Sequence, residues 1–322
     1  MIKRFFGWYG GKLRVVLELL VCIPDHITAF YEACAGSAVV TLNKVRHEIE
    51  MVSDLDPDIV HLFSVMADRQ LGGQLVDRLL KLRYSREAFM EAKRAEAQHY
   101  KGVDDVTKAV MIFTLITQSF NNTRETFREK GPTQRAYAYA QYSNIPWVYE
   151  RMENVRVRLV NCIDVVEKVR DNPHAMVYLD LPYRHKLRAK GACDTYGHEM
   201  SDEEHKQVLE ACRDAKCCIL ICGYHDNSGD DMYDRILGVG QPGSKWSRYI
   251  IGHLSKSCQA TKAKGKAKTK SKGEEHIWVN YPLPDAARFY FSTEKNPANR
   301  QWTKTPGGVI IPSTLGEGGG EA

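Results

Sequence analysis

Apolar residues in this chain gather into short runs, and several runs end on an acid. "ITAFYEACAGSAVVTLNKV" opens with a strand-like run, Ile27 to Tyr31, carries Glu32, and passes through the small residues Ala33 to Ser37 into a helical pattern. "IEMVSDLDPDIVHLF" repeats the design, with a strand ending near Ser53, acids at Asp54 and Asp56, and a helix opened by Pro57. "VRVRLVNCIDVVEKV" gives a third strand and Asp164; "AMVYLD" gives a fourth, closing on Asp180; "CCILICGY" gives a fifth. Strands alternating with helices predict an α/β fold with a mostly parallel sheet and helices on both faces. Ser201 followed by Glu204 is a capping-box signature, which starts a helix there and leaves a loop at Arg184 to Met200. "SRYIIGHL" and "HIWVNY" predict a terminal antiparallel strand pair.

Two segments break the alternation. Between the second and third strands lie roughly ninety residues, far more than the dozen or so that a crossover needs. This insert, residues 63–151, is charged and helical at first and ends in "SFNNTRETFREKGPTQRAYAYAQYSNIP", rich in Arg, Asn, Gln and Tyr. It divides the chain into a main domain, 1–62 and 152–315, and an inserted one. The second segment is Lys256 to Glu275, with lysine at nearly every second position from Lys262 to Lys272, which predicts a mobile loop. The tail 316–322 is expected to be disordered.

Composition narrows the classes without choosing among them. Apolar residues make up 43% of 322, the net charge is +5 and the pI about 8.6, which permits a nucleic-acid partner without requiring one. The best membrane candidate, Val15 to Ile23, is short and carries Glu18, so it reads as an amphipathic helix. Export is not expected, and a cytoplasmic protein is. Nine cysteines with no C-x-x-C pair read as reduced, buried thiols rather than a zinc site or disulfide framework.

In an open parallel sheet, ligands bind beyond the carboxyl ends of the strands, where Glu32, Asp54, Asp164 and Asp180 fall. Asp54 stands twenty-two residues after Glu32, which suits an acid that accepts from ribose hydroxyls. On these residues alone, a nucleoside site and a tight turn with solvated acids stand level. In "FGWYGGK", Gly-Gly lets the backbone pass close to a ligand, Trp8 can line a pocket and Lys12 can meet a carboxylate; in isolation, a core Trp in a flexible N-terminus explains it better. "DLPY" places an acid, a rigid proline and an aromatic ring together. Methylation of an exocyclic amino group needs such a set: acceptors for the amino hydrogens, and a flat ring to fix the plane. A strand-terminating turn with a partly buried Tyr183 remains the bland alternative.

Taken in order, "FGWYGGK", "FYEACAGSAVV", "VSDLDPDIVHLF", a long insert, "NCIDVVEKV", "VYLDLPY", "ILICGY" and "EEHIWVNY" resemble the Dam-like adenine-N6 DNA methyltransferases. The resemblance implies a Rossmann-like sheet that binds S-adenosyl-L-methionine. It implies cofactor contacts from Trp8, Tyr9 and Lys12, from Glu32 and Gly36 at the first turn, from Asp54 at the ribose, from Asp164 near the adenine, and from Asp180. It implies catalysis by Asp180, Pro182 and Tyr183 on an adenine extruded from duplex DNA. Leu181 departs from the family's first proline. The insert becomes the expected target-recognition domain, with Arg124, Arg128 and Arg135 as DNA contacts and Asn121, Asn122 and Gln134 within reach of adenine. The lysine run adds non-specific phosphate attraction. His205 reads as structural. The implied setting is bacterial or phage, with DNA as partner, a cognate restriction endonuclease in a restriction-modification system, and no metal. The rivals are the same chemistry on RNA or a protein glutamine amide, and a DNA-binding module without catalysis.

Overall fold

The computed structural model describes residues 3–184, 187, 199–226, 230–255 and 272–292, with the backbone of 302–304 and 310–312. The order from the N-terminus is α1 (Val16–Leu20), β1 (Ala29–Ala33), α2 (Val39–Asn43), β2 (Ile49–Asp54) and α3 (Pro57–Ala67). The long insert holds α4 (Arg69–Leu80), α5 (Arg86–Ala97), α6 (Asp105–Gln118), α7 (Pro132–Tyr142) and α8 (Ile145–Met152). Then come β3 (Arg156–Leu159), α9 (Cys162–Val169), β4 (Ala175–Asp180), α10 (Asp202–Arg213), β5 (Cys218–Tyr224), α11 (Met232–Leu237), β6 (Ser247–Ser255), β7 (Lys272–Val279) and α12 (Asp285–Ser292). A short pair, β8 (Trp302–Lys304) and β9 (Ile310–Pro312), follows.

Seven strands form one sheet in the order β3-β2-β1-β4-β5-β7-β6. The first five are parallel, and β7 enters antiparallel between β5 and β6, as the terminal pair predicted. The central strands β4 and β5 are buried along nearly their whole length, as strands covered on both faces must be. Alternation sorts their side chains. Val177 and Leu179 join Val165, Val166, Val208 and Leu209 in the core beneath α9 and α10. Met176 and Tyr178 join Phe30, Leu19 and Val40 in the core beneath α1 and α2. The edge strand β3 exposes Arg156 and Arg158, charges that discourage a further strand from pairing there.

Caps fix the helix starts. Asp56 accepts from the amides of Asp58 and Ile59 at α3, with Pro57 as the first helical residue; Ser201 and Glu204 form the predicted capping box at α10.

Four boundaries differ from expectation. The first strand is shifted two residues, to Ala29–Ala33, because Thr28 and Ala29 both bond back to the His174 carbonyl and set the register with β4. The helix expected over Val15 to Ile23 is only Val16–Leu20; Cys22 and Ile23 bond three residues back, and Pro24 forbids continuation. The division at 62/63 falls inside α3, and the insert has no wholly separate core: Leu75, Leu79, Phe113, Ile145 and Val148 pack with Phe5, Phe6, Val52, Ile59 and Phe63. The expected lysine-rich loop lies outside the described residues over 256–271, but its last four residues, 272–275, belong to β7, where pairing with β6 orders them. The tail 316–322 also lies outside the described residues.

Candidate active site

Strand order reverses between β1 and β4, and a crevice opens there beyond the carboxyl ends. It is a cavity of about 200 Å³, walled by Trp8, Tyr9 and Gly10, by Cys34 after β1, by Asp54 to Asp56 after β2, by Val160 to Ile163 after β3, by Asp180 and Pro182 after β4, and by Glu199, Met200, Glu204, Gln207 and Val208 at α10. Among the described residues no lysine or arginine is in these walls, while five are carboxylates.

Asp180 ends β4 on the α1/α2 face of the sheet, the side from which Lys12 arrives. Lys12 is 1% exposed, yet its ammonium ion pairs with Asp180 Oδ1, donates to Tyr183 Oη at 3.0 Å and to the Gly10 carbonyl at 3.1 Å, and lies 3.5 Å from Glu275. Burial opposes its charge, but the two carboxylates outweigh burial and hold its pKa well above the usual lysine value. Burial raises the Asp180 carboxyl while Lys12 pulls it down, with a net upward direction. Among the described residues no donor reaches Asp180 Oδ2.

Glu275 is the site residue that sequence reasoning missed. It lies fully buried on β7, in register with Tyr224 of β5, and accepts the Tyr183 hydroxyl at 2.9 Å and 3.1 Å. Burial pushes it up to about 7 against the pull of Lys12. The signal was present in the alternation of "EEHIWVNY", but the preceding lysines argued for a loop. Tyr183 itself is buried, its ring stacked on Tyr224 with centroids 4.1 Å apart and an angle of 17°.

Around the other wall, Asp54 Oδ2 accepts the Gly36 amide at 2.9 Å and Oδ1 the Asp56 amide at 3.0 Å. The Leu55 amide also favours its charged form, and of a carboxylate's roughly four lone-pair sites about one remains for a ligand hydroxyl. Burial raises its pKa. Gly36 has φ +49°, and a Cβ there would lie 2.4 Å from the Trp8 ring, so both its backbone and its missing side chain are required. A turn closed by the Gly11 amide on the Trp8 carbonyl swings Trp8 onto the cavity and Lys12 behind it.

Other expected site residues lie elsewhere. Glu32 is buried on the α1/α2 face, where Val40 and Thr41 amides at the start of α2 hold its carboxylate; it is not a cavity wall. Asp164 is exposed in the first turn of α9, and its neighbour Ile163 reaches the cavity instead. Arg124 turns inward, bonded to Asp56 and to Asp58 at 3.2 Å. Arg128 and Arg135 are exposed. Arg128 joins Arg4, Lys130, Asn122, Gln134 and Gln141 around a second cleft of about 480 Å³, between the N-terminal segment and α7, with no carboxylate in its walls among the described residues. His205 is fully buried against the Tyr233 hydroxyl at 2.8 Å, a structural residue as expected. The seven described cysteines are free and six are buried.

Residues 8–236 match the sequence model of a family described as D12 class N6 adenine-specific DNA methyltransferase. The chain belongs to that family. The matched span contains every wall of the acidic cavity and all five parallel strands; Glu275 lies beyond it. This D12-class chain is also 20% identical over 224 residues to a type II methyltransferase of Lactococcus lactis subsp. cremoris, covering 66% of the chain and 76% of the relative. It is 30% identical over 64 residues to the DNA adenine methylase of Haemophilus influenzae, covering 20% of the chain and 22% of that relative. Its fold is the Rossmann-like methyltransferase sheet expected from the sequence. Among the described residues no helix is long and apolar enough to cross a membrane.

Proposed function

We propose that this chain moves a methyl group from S-adenosyl-L-methionine to the N6 atom of an adenine extruded from DNA. The observation that carries the reading is the placement of Asp180, which forms one wall of the acidic cavity and is tied through Lys12 to Tyr183 and Glu275.

The cavity's donor set fits the cofactor. The five carboxylates among the described walls outnumber the two cations paired from behind, Lys12 at Asp180 and Arg124 at Asp56; the net negative charge suits a sulfonium, and Asp54 at the end of β2 suits ribose hydroxyls. The bound cofactor supplies an electrophilic methyl group. The chain does the rest by alignment and electrostatics. Trp8 and Tyr9 close the cavity on one side. Asp180 Oδ2, with the carbonyl of Leu181 or Pro182, accepts the amino hydrogens and aims the nitrogen lone pair. The nitrogen's surplus proton leaves toward Asp180. Tyr183, with Tyr224 behind it, supplies the stacking surface, a contact worth about 1–3 kcal/mol per base. Glu275 and Lys12 fix the Tyr183 hydroxyl.

The residues of the insert are the DNA reader on this view. The basic cleft suits a phosphodiester, and Arg128, Gln134 and Asn122 stand around it. A polyanion fits that cleft better than a protein amide does. The expected setting is the cytoplasm, where DNA is reached.

The test is direct. Unmethylated DNA is incubated with the protein and S-adenosyl-L-methionine, and modified adenines are mapped by single-molecule sequencing. Methylated adenines in a fixed sequence context are expected. Unmodified adenines alongside methylated RNA or glutamine would overturn the substrate assignment.

A further inference from the structure

Arg124 was expected on DNA, and the structure commits it to something else. Its guanidinium bonds to Asp56 through both terminal nitrogens and to Asp58 at 3.2 Å, and only 16% of the side chain is exposed. Asp56 is shared. It forms part of the acidic cavity's wall, caps α3, and donates its amide to Asp54. On the other side, Arg124 belongs to the segment that links α6 to α7 and runs on to Arg128 and Lys130 of the basic cleft.

The linking segment is held in a costly backbone. Asn121, Asn122 and Arg124 have φ of 52°, 60° and 66°; asparagine tolerates that region, but arginine rarely visits it. What holds Arg124 there is its amide bond to Ser119 Oγ at 2.9 Å and the two carboxylates. The same segment presses on the N-terminal turn, since a Cβ on Gly7 would stand 2.5 Å from Asn122 Nδ2, one residue before Trp8. One strained segment therefore grips the wall residue Asp56 and presses on Gly7, the residue next to the wall residue Trp8.

We infer that Arg124 is a positioning residue whose clasp on Asp56 and Asp58 couples occupancy of the methyl-donor cavity to seating of the DNA-contacting segment. A ligand against Asp56 fixes the carboxylate that anchors Arg124, and so fixes the approach to Arg128 and Lys130. Such coupling is reciprocal, so DNA also tightens the donor. The inference rests on the donor and DNA sites proposed above.

The experiment measures DNA affinity by fluorescence anisotropy with and without S-adenosylhomocysteine, in wild type, R124M and R124K. Coupling of 5-fold or more is expected in wild type, falling toward 1 in R124M and partly restored in R124K, which keeps the charge but not the fork. D58N removes one arm of the clasp without touching a cavity wall, and should lose part of the coupling even where R124M folds poorly. Wild-type coupling retained in folded R124M and in D58N overturns the clasp. A wild type that binds DNA but not S-adenosylhomocysteine overturns the donor reading instead, and the coupling with it.

Discussion

The two concavities of this molecule have opposite charge and opposite construction. The acidic cavity stands at the carboxyl ends of parallel strands, with Asp54, Asp56, Asp180, Glu199 and Glu204 in its walls. The basic cleft stands between residues 4–7 and the end of the insert, with Arg4, Arg128 and Lys130 and no acid among the described residues. Strand ends place Asp54 and Asp180, and helix caps hold Asp56 and Glu204, each tied to nearby amides or to a buried partner. Arg128 and Lys130 ride on a connecting segment and Arg4 on the N-terminal one, with Arg128 exposed and the other two half-buried. A small cation with ribose hydroxyls needs fixed acceptors, whereas a polyanion needs mainly a field, which falls off with salt. The acidic walls also repel phosphates, which steers DNA toward the cleft on the proposed reading.

The largest expected effect breaks the acid side of this comparison. D180A should lower methyl transfer by about 10³-fold, the scale on which positioned acceptors act. S-adenosylhomocysteine binding should survive in part. Single-turnover transfer measured with saturating cofactor checks it, and full activity would remove Asp180 from the chemistry.

Next comes Lys12, the cation buried behind Asp180. K12M leaves Asp180 and Glu275 without their shared partner, and should cost about 3–5 kcal/mol by urea unfolding at neutral pH. A loss below about 1 kcal/mol would mean the carboxylates are relieved by protonation or water.

On the basic side, the double variant R128A/K130A should weaken DNA binding about 10-fold at moderate salt. It should also reduce the slope of log affinity against log salt by about 0.9 for each phosphate that is no longer neutralised. Cofactor affinity without DNA should not move. An unchanged slope would place the phosphates elsewhere.

The smallest effect separates acids that serve a ligand from acids that serve the fold. Burial pushes Glu32 up to about 7, above its value of about 4.5 in an unfolded chain. The native state therefore holds the proton longer, and Glu32's contribution to stability falls as pH rises from about 4.5 through 7. Between pH 6 and 8 the fall is about 1 kcal/mol for this group. Denaturant melts of E32Q against wild type should show that much less loss over the range. Parallel pH profiles for the two proteins would show that Glu32 stays ionised.

Much of the acidic cavity's lining was readable in order along the chain, because strand-end acids are local features. Asp54 and Asp180 are placed by the length of β2 and β4, and the helix starts at α3 and α10 by Asp56 and Ser201. Facing was less readable. Glu32 shares the α1/α2 face with Asp180, but it lies beside Tyr178, two residues short of Asp180 along the sheet, and the Val40 and Thr41 amides hold its carboxylate beneath α2, away from the cavity. Asp164 misses because the start of α9 presents Ile163 to the cavity instead. The stacking of Tyr224 on Tyr183 was not readable, because β5 brings the two rings together only in the folded sheet.

What the sequence alone determined is the alternation of strands and helices, the caps, the large insert and the family motifs, all of which depend on residues within a few positions of one another. What only the tertiary structure decided are the pairings made across the sheet order. Glu275 reaches Tyr183 because β7 inserts beside β5, Lys12 reaches Asp180 because both lie on one face, and Arg124 reaches Asp56 because the insert folds back onto α3. Such pairings join residues 68 to 168 positions apart, and no local periodicity encodes them. They exist because buried charges must find partners, and topology selects which partners are in reach.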